Sequence, residues 1–147
     1  MTSVRPLRIV VIDDNEDDVL LLREALEELD GVELVAAAAD GEAGLDCLDA
    51  CLRQEGLPDL VLLDLNLPGR NGIEILQALK ADPRLRDVPV VLLSTSNLES
   101  DINRALAQGA ESYLSKPARF DVLQDELQRL LSRFRRGPAE GAESAWG

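Results

Sequence analysis

Apolar and polar positions alternate along this chain in two rhythms. Ile9-Val10-Val11-Ile12, Leu60-Val61-Leu62-Leu63 and Val90-Val91-Leu92-Leu93 are unbroken apolar runs rich in β-branched residues, which marks strands covered on both faces. Glu33 to Ala37 and Ser112 to Leu114 are two weaker strand candidates. Between the runs, apolar residues recur at helical spacing: Val19, Leu22, Leu26 and Leu29; Leu45, Leu48 and Leu52; Ile73, Leu76 and Leu79; Ile102, Ala105 and Leu106. A last helical segment carries Phe120, Leu123, Leu127, Leu130 and Phe134, with Leu131 beside them. Five strands alternating with five helices predict an α/β fold with a doubly wound parallel sheet, because parallel neighbours need crossover helices.

Turn chemistry supports these boundaries. Asp40-Gly41, Leu67-Pro68-Gly69, Asp82-Pro83 and Gly109-Ala110 interrupt the periodic segments, and Pro117 stops the fifth strand. Beyond Arg136 the chain is small, polar and non-periodic. One domain over residues 1–136 and a flexible tail over 137–147 are therefore expected. The Asp17-Asp18 pair suits the start of the first helix.

Charge and composition narrow the chemistry. With 147 residues, 46% of them apolar, one compact core is expected. A net charge of −13 opposes unaided binding to nucleic acid or to an anionic membrane surface. The chain has no histidine, which excludes imidazole acid–base chemistry, histidine-activated nucleophiles and histidine-containing zinc sites. No apolar run reaches the roughly 18 residues of a membrane span, and the first one is too short for a signal sequence. Cys47 and Cys51, four apart on the second helix, read as packing or surface thiols, and a reducing cytoplasm is the simplest compartment. Arg129, Arg133, Arg135 and Arg136 read as a solvated helix end.

The remaining chemistry gathers at strand ends. Asp13 and Asp14 follow the first strand, Asp64 the third, Ser94-Thr95 the fourth and Lys116 the fifth. In an open parallel sheet these ends share one edge, where ligands bind. Three carboxylates meeting there repel one another and call for a cation, and hard oxygen donors without histidine or thiolate suit Mg²⁺. A carboxylate beside Mg²⁺ and a lysine is also placed for phosphoryl transfer onto itself. Lys116 is one of only two lysines among 13 arginines, and a compact point charge suits a single phosphoryl oxygen. Singly, Asp13-Asp14 reads equally well as a helix-capping turn, Asp64 as a loop acid and Lys116 as a turn residue. Together, in this order at four strand ends, they favour the functional reading.

Taken as a set, Asp13-Asp14, Asp64-Leu65-Asn66-Leu67-Pro68-Gly69, Val88-Pro89 leading to Ser94, and Gly109 through Lys116-Pro117 resemble a bacterial two-component response-regulator receiver domain. The resemblance spans roughly Arg8 to Arg133. Its finer features, including Lys80-Ala81-Asp82-Pro83, are most similar to the single-domain regulators paired with bacterial phytochromes. It implies a flavodoxin-like sheet of order 2-1-3-4-5. By the same resemblance, Asp64 is the phosphoacceptor, served by a sensor histidine kinase. Asp14, Asp64 and the backbone carbonyl of Asn66 hold Mg²⁺, with Asp13 acting through a water. Lys116 contacts the phosphoryl group, Ser94 supplies the hydroxyl of the switch and Tyr113 its aromatic partner. Lys116-Pro117 resembles the family's cis-prolyl junction. Thr95 and Ser96 depart from the family pattern and bear on how long an aspartyl phosphate lasts. The implied protein is a stand-alone signalling module that works through partner contacts or as a phosphate sink, and is not an enzyme beyond its own phosphorylation and dephosphorylation.

Two further expectations follow. The stripe on the last helix suits covering a sheet face, and its apolar far end also suits helix pairing, so a homodimer through this helix and the tail is expected. The rival function is a Mg²⁺-dependent phosphohydrolase acting on small molecules through an aspartyl phosphate. Such enzymes carry an Asp-x-Asp pair after the first strand, whereas this chain has adjacent aspartates there.

Overall fold

The computed structural model describes residues 6–54, 56–65, 67, 72–94, 99–115 and 120–134, apart from the side chains at 94, 99, 101 and 115. The elements are β1 (Leu7–Ile12), α1 (Glu16–Glu27), β2 (Val32–Ala38), α2 (Gly41–Arg53), β3 (Leu60–Asp64), α3 (Gly72–Ala81), β4 (Val90–Ser94), α4 (Glu99–Ala107), β5 (Ser112–Ser115) and α5 (Phe120–Ser132). All pairings are parallel, in the order β2-β1-β3-β4-β5. The sheet order and the five helices thus agree with the sequence reading. β1 pairs with β2 in two registers: Ile9 faces Leu34 and Val10 faces Ala36, so β2 bulges at Val35.

The unbroken apolar runs are explained by two cores, one on each face. Ile9, Val11, Leu60, Leu62, Val91 and Leu93 point into a cluster with α1 and α5. Their alternates Val10, Ile12, Val61, Leu63, Val90 and Leu92 point into the cluster that takes in residues of α2, α3 and α4. Apart from Arg8 in β1 and the strand-end residues Asp64 and Ser94, the side chains of β1, β3 and β4 are apolar and buried on either face.

Helix starts follow from local polar chemistry. Asn15 caps α1, its side-chain oxygen accepting from the backbone N–H of Asp17 at 2.9 Å and of Asp18 at 3.1 Å. Glu16, Asp17 and Asp18 fill the first turn, where the helix dipole favours negative charge. Asp40 caps α2 through the Ala43 N–H at 2.8 Å, so the Asp40-Gly41 turn signal is a helix start. Gly109, at φ 111°, turns the chain between α4 and β5.

One helix face departs from expectation and another follows it. Leu106 of α4 is 38% exposed, while Ile102 and Ala105 carry the burial. The stripe on α5 is turned inward: Leu123, Leu127, Leu130 and Leu131 are buried in the chain's own core, against the face that also holds Leu22, Ala25 and Leu26 of α1. Gln124 reaches Glu28, at the end of α1, at 3.0 Å. These residues cover the sheet face. The Lys116-Pro117 junction, Thr95, Ser96, Arg135, Arg136 and the tail 137–147 lie outside the described residues.

Candidate functional site

The register of two neighbouring strands builds the site. β1 lies beside β3 with Ile12 opposite Leu63, so the residue after β1 and the last residue of β3 stand side by side. Those residues are Asp13 and Asp64, 2% and 3% exposed, and Asp14 follows on the exposed side. One carboxylate oxygen from each of the three lies within 4.8 Å of the other two. The sequence reading expected this meeting, and the structure brings all three together.

Backbone hydrogen bonds hold the two turns in place. The Asp13 N–H donates to Ala38 O at 2.9 Å, and Asp13 Oδ1 accepts from the Asn15 N–H at 2.9 Å. Asp13 thus helps to turn the chain into α1 and also presents a carboxylate to the site. After β3, the Leu65 N–H donates to Leu93 O at 3.1 Å and the Gly72 N–H to Leu65 O at 2.8 Å. Gly72 is a site residue that the strand-end pattern of the sequence does not mark. A Cβ there would lie 2.3 Å from Asp64 O and 2.7 Å from Leu65 Cα, so the start of α3 can close over the Asp64 backbone only with glycine. The Asn71-Gly72 dipeptide was the available signal.

At 4.8 Å and an effective dielectric near 20, each pair of ionised carboxylates repels by about 3 kcal/mol. Two of the three are sealed from water, so solvent screens them poorly. A hard divalent cation fits this donor set, which offers only oxygens and no imidazole or thiolate. Such a cation, when bound, would neutralise the cluster and draw phosphate oxygens toward Asp64.

Of the remaining predicted residues, Tyr113 and the backbone of Ser94 are described. Ser94 ends β4, one position beyond the Leu93 that pairs with Asp64, so its backbone stands at the site edge. Its side chain, with Asn66 and Lys116, lies outside the described residues. Tyr113 on β5 is 45% exposed. It lines a surface groove with Ser112, Glu126, Arg129 and Arg133, which gives part of the arginine cluster a position beside the aromatic residue. On the other flank a cavity of about 320 Å³ opens next to Asp13 and Asp14, walled by Val19, Leu20, Arg23 and Ala37.

A family model described as the response regulator receiver domain matches residues 9–128. The chain belongs to the response-regulator receiver family. It is 38% identical over 128 residues to the probable methanogenesis regulatory protein FilR2 of Methanothrix harundinacea, covering 85% of this chain and 81% of that one. Among solved structures it resembles the phosphorylated cyanobacterial phytochrome response regulator RcpA, with TM-score 0.78 and 33% identity over 88% of this chain and 94% of that one. It also resembles the Mn²⁺-bound form of the response regulator Rcp1, with TM-score 0.71 and 34% identity over 86% and 93% of the two chains. As a receiver the protein is a signalling module of the kind that works with histidine kinases, and the small-molecule phosphohydrolase reading is set aside. Among the described residues, no helix is long and apolar enough to cross a membrane.

Proposed function

We propose that this receiver accepts a phosphoryl group onto Asp64 from the phosphohistidine of a sensor histidine kinase, in a Mg²⁺-dependent reaction. The observation that carries the reading is the convergence of Asp13, Asp14 and Asp64 at one sheet edge, two of them buried. The Asp64 carboxylate attacks phosphorus, the bond to the donor nitrogen breaks, and the transferred group ends as a mixed anhydride on Asp64. Asp14, Asp64 and the Asn66 carbonyl would hold the cation, with Asp13 acting through water. Lys116 would neutralise a phosphoryl oxygen. Ser94 would then donate its hydroxyl to the new phosphate, and Tyr113 would move from its exposed position toward the space the hydroxyl leaves. The new group adds about −1.5 to −2 charges, enough to bias a two-state surface around β5.

The similarity to a phytochrome response regulator supports a bacterial phytochrome as the kinase. Cytoplasmic placement and output by partner contact or phosphate drainage complete the reading. The receiver is taken to span 1–136. A homodimer through the last helix and the C-terminal tail belongs to the same proposal. Sedimentation at high micromolar concentration is expected to show two copies, and a monomer with and without a phosphate mimic overturns that part.

Acetyl phosphate with Mg²⁺ should add one phosphoryl group by intact mass, and Asp64→Asn should add none. Labelling that persists in Asp64→Asn, or turnover of phosphate monoesters without Asp64, would overturn the assignment.

A further inference from the structure

Cys47 and Cys51 take no part in the acidic site, yet both line one cavity of about 340 Å³. Its other walls include Arg8, Glu33, Ala36 and Gln54. The cavity lies toward the opposite end of β1 from the acidic cluster, where Arg8 pairs with Glu33 of β2. Cys51 is 7% exposed and belongs to the core, whereas Cys47 is partly buried against it. Both thiols are free.

Helix geometry decides what the pair can hold. Residues four apart on a helix have Cβ atoms about 5–6 Å apart. A disulfide needs about 3.5–4.5 Å, so direct oxidation would distort α2. An atom inserted between the sulfurs, with bonds of about 2.3 Å to each as for zinc thiolates, spans the gap without moving the helix. Burial, then Cys51 and then Asp46 push the Cys47 thiol above its ordinary value. It is therefore protonated at neutral pH and a poor nucleophile toward simple alkylating or oxidising agents. A ligand that exchanges with two neutral thiols is better matched.

We propose that Cys47 and Cys51 form a dithiol site for a soft, thiophilic centre of the trivalent-arsenic class, entering through the cavity between α2 and β2. The exchange is redox-neutral. A hydrated organoarsenical, R–As(OH)₂, loses two As–O bonds and gains two As–S bonds. Each hydroxide leaves with one thiol proton as water, and arsenic stays trivalent. The cavity provides room for the organic substituent, and the buried position of Cys51 keeps competing monothiols from the second bond.

The probe is phenylarsine oxide added to the purified full chain under a phosphine reductant, read by intact mass and by release with a monothiol or a dithiol. Wild type is expected to take one equivalent with loss of two protons, resistant to monothiol and released by dithiol. Cys47→Ser and, independently, Cys51→Ala should each weaken retention at least ten-fold and make the adduct sensitive to monothiol. Thermal melting of both variants and their unchanged labelling by acetyl phosphate separate lost binding from lost fold. No adduct on wild type, or a wild-type adduct on folded Cys47→Ser, overturns the proposal.

Discussion

Gly72 has no side chain, and the start of α3 meets the Asp64–Leu65 backbone in the space this leaves. The atoms that a Cβ would meet are backbone, Asp64 O and Leu65 Cα, so no rotamer change can relieve the overlap. Gly72→Ala is expected to cost about 3 kcal/mol and to displace the Asp64 carbonyl, because forced overpacking against fixed atoms sits at the upper end of its usual range. Urea unfolding measures the first effect, and loss of acetyl phosphate labelling in the fraction that still folds measures the second. This residue also shows the limit of reading a site from sequence. Asp13, Asp14 and Asp64 were legible because each adjoins the end of an apolar run and a parallel sheet sends those ends to one edge. The need for glycine at 72 depends on a distance between two segments of backbone that no spacing rule encodes. Arg8 was likewise hidden inside an apolar run: its guanidinium donates to Gly56 O at 2.9 Å and Leu57 O at 3.0 Å, tying β1 to the loop before β3.

Helices were legible in position but less so in orientation. An apolar stripe says that one face is covered, not by what. The stripe on α5 is covered by the chain's own sheet and α1, while Leu106 of α4 is left partly exposed. The connection from α3 to β4 is pinned by groups that composition alone would class as surface charge. Lys80 Nζ donates to Arg86 O at 2.9 Å and to Val88 O at 3.1 Å, closing the turn that leads into β4. Arg84 joins Asp82 and Asp49 of α2, each at 3.0 Å. Hydrogen bonds from the Arg84 side chain and backbone, followed by its charge, hold the Asp82 carboxyl below its ordinary value of 3.8. As pH falls, the unfolded chain takes up this proton first and the folded chain only later. The contribution is therefore complete above 3.8 and disappears as pH falls through the lower folded value. Asp82→Asn should lower neutral stability by the small amount an exposed pair contributes and flatten the acid limb of the melting profile by that same amount, the two proteins converging below the window. An acid limb identical to wild type would show that the pin is not formed in solution.

For the whole molecule, the acidic site is a local cost carried by a fold with two full cores. Three carboxylates within 4.8 Å, two of them buried, destabilise the metal-free protein by a few pairwise repulsions of about 3 kcal/mol each, reduced wherever water reaches Asp14. Removing one of these charges should therefore stabilise the metal-free fold, even as it destroys the proposed chemistry. Asp64→Asn keeps the shape and a hydrogen-bonding side chain while deleting the charge, so its metal-free melting temperature should rise above that of wild type. Cation binding supplies the complementary effect. A site filled at a hundred times its dissociation constant adds about 2.7 kcal/mol to folding stability. That corresponds to roughly 5–10 °C for a chain of this size. Wild type should show this rise on adding Mg²⁺ and lose it on chelation. Asp64→Asn should show little of either, so the two melting curves, apart without metal, should converge or cross with it. Equal melting temperatures without metal, or a Mg²⁺ response in Asp64→Asn as large as in wild type, would mean that the three carboxylates do not act together on one cation.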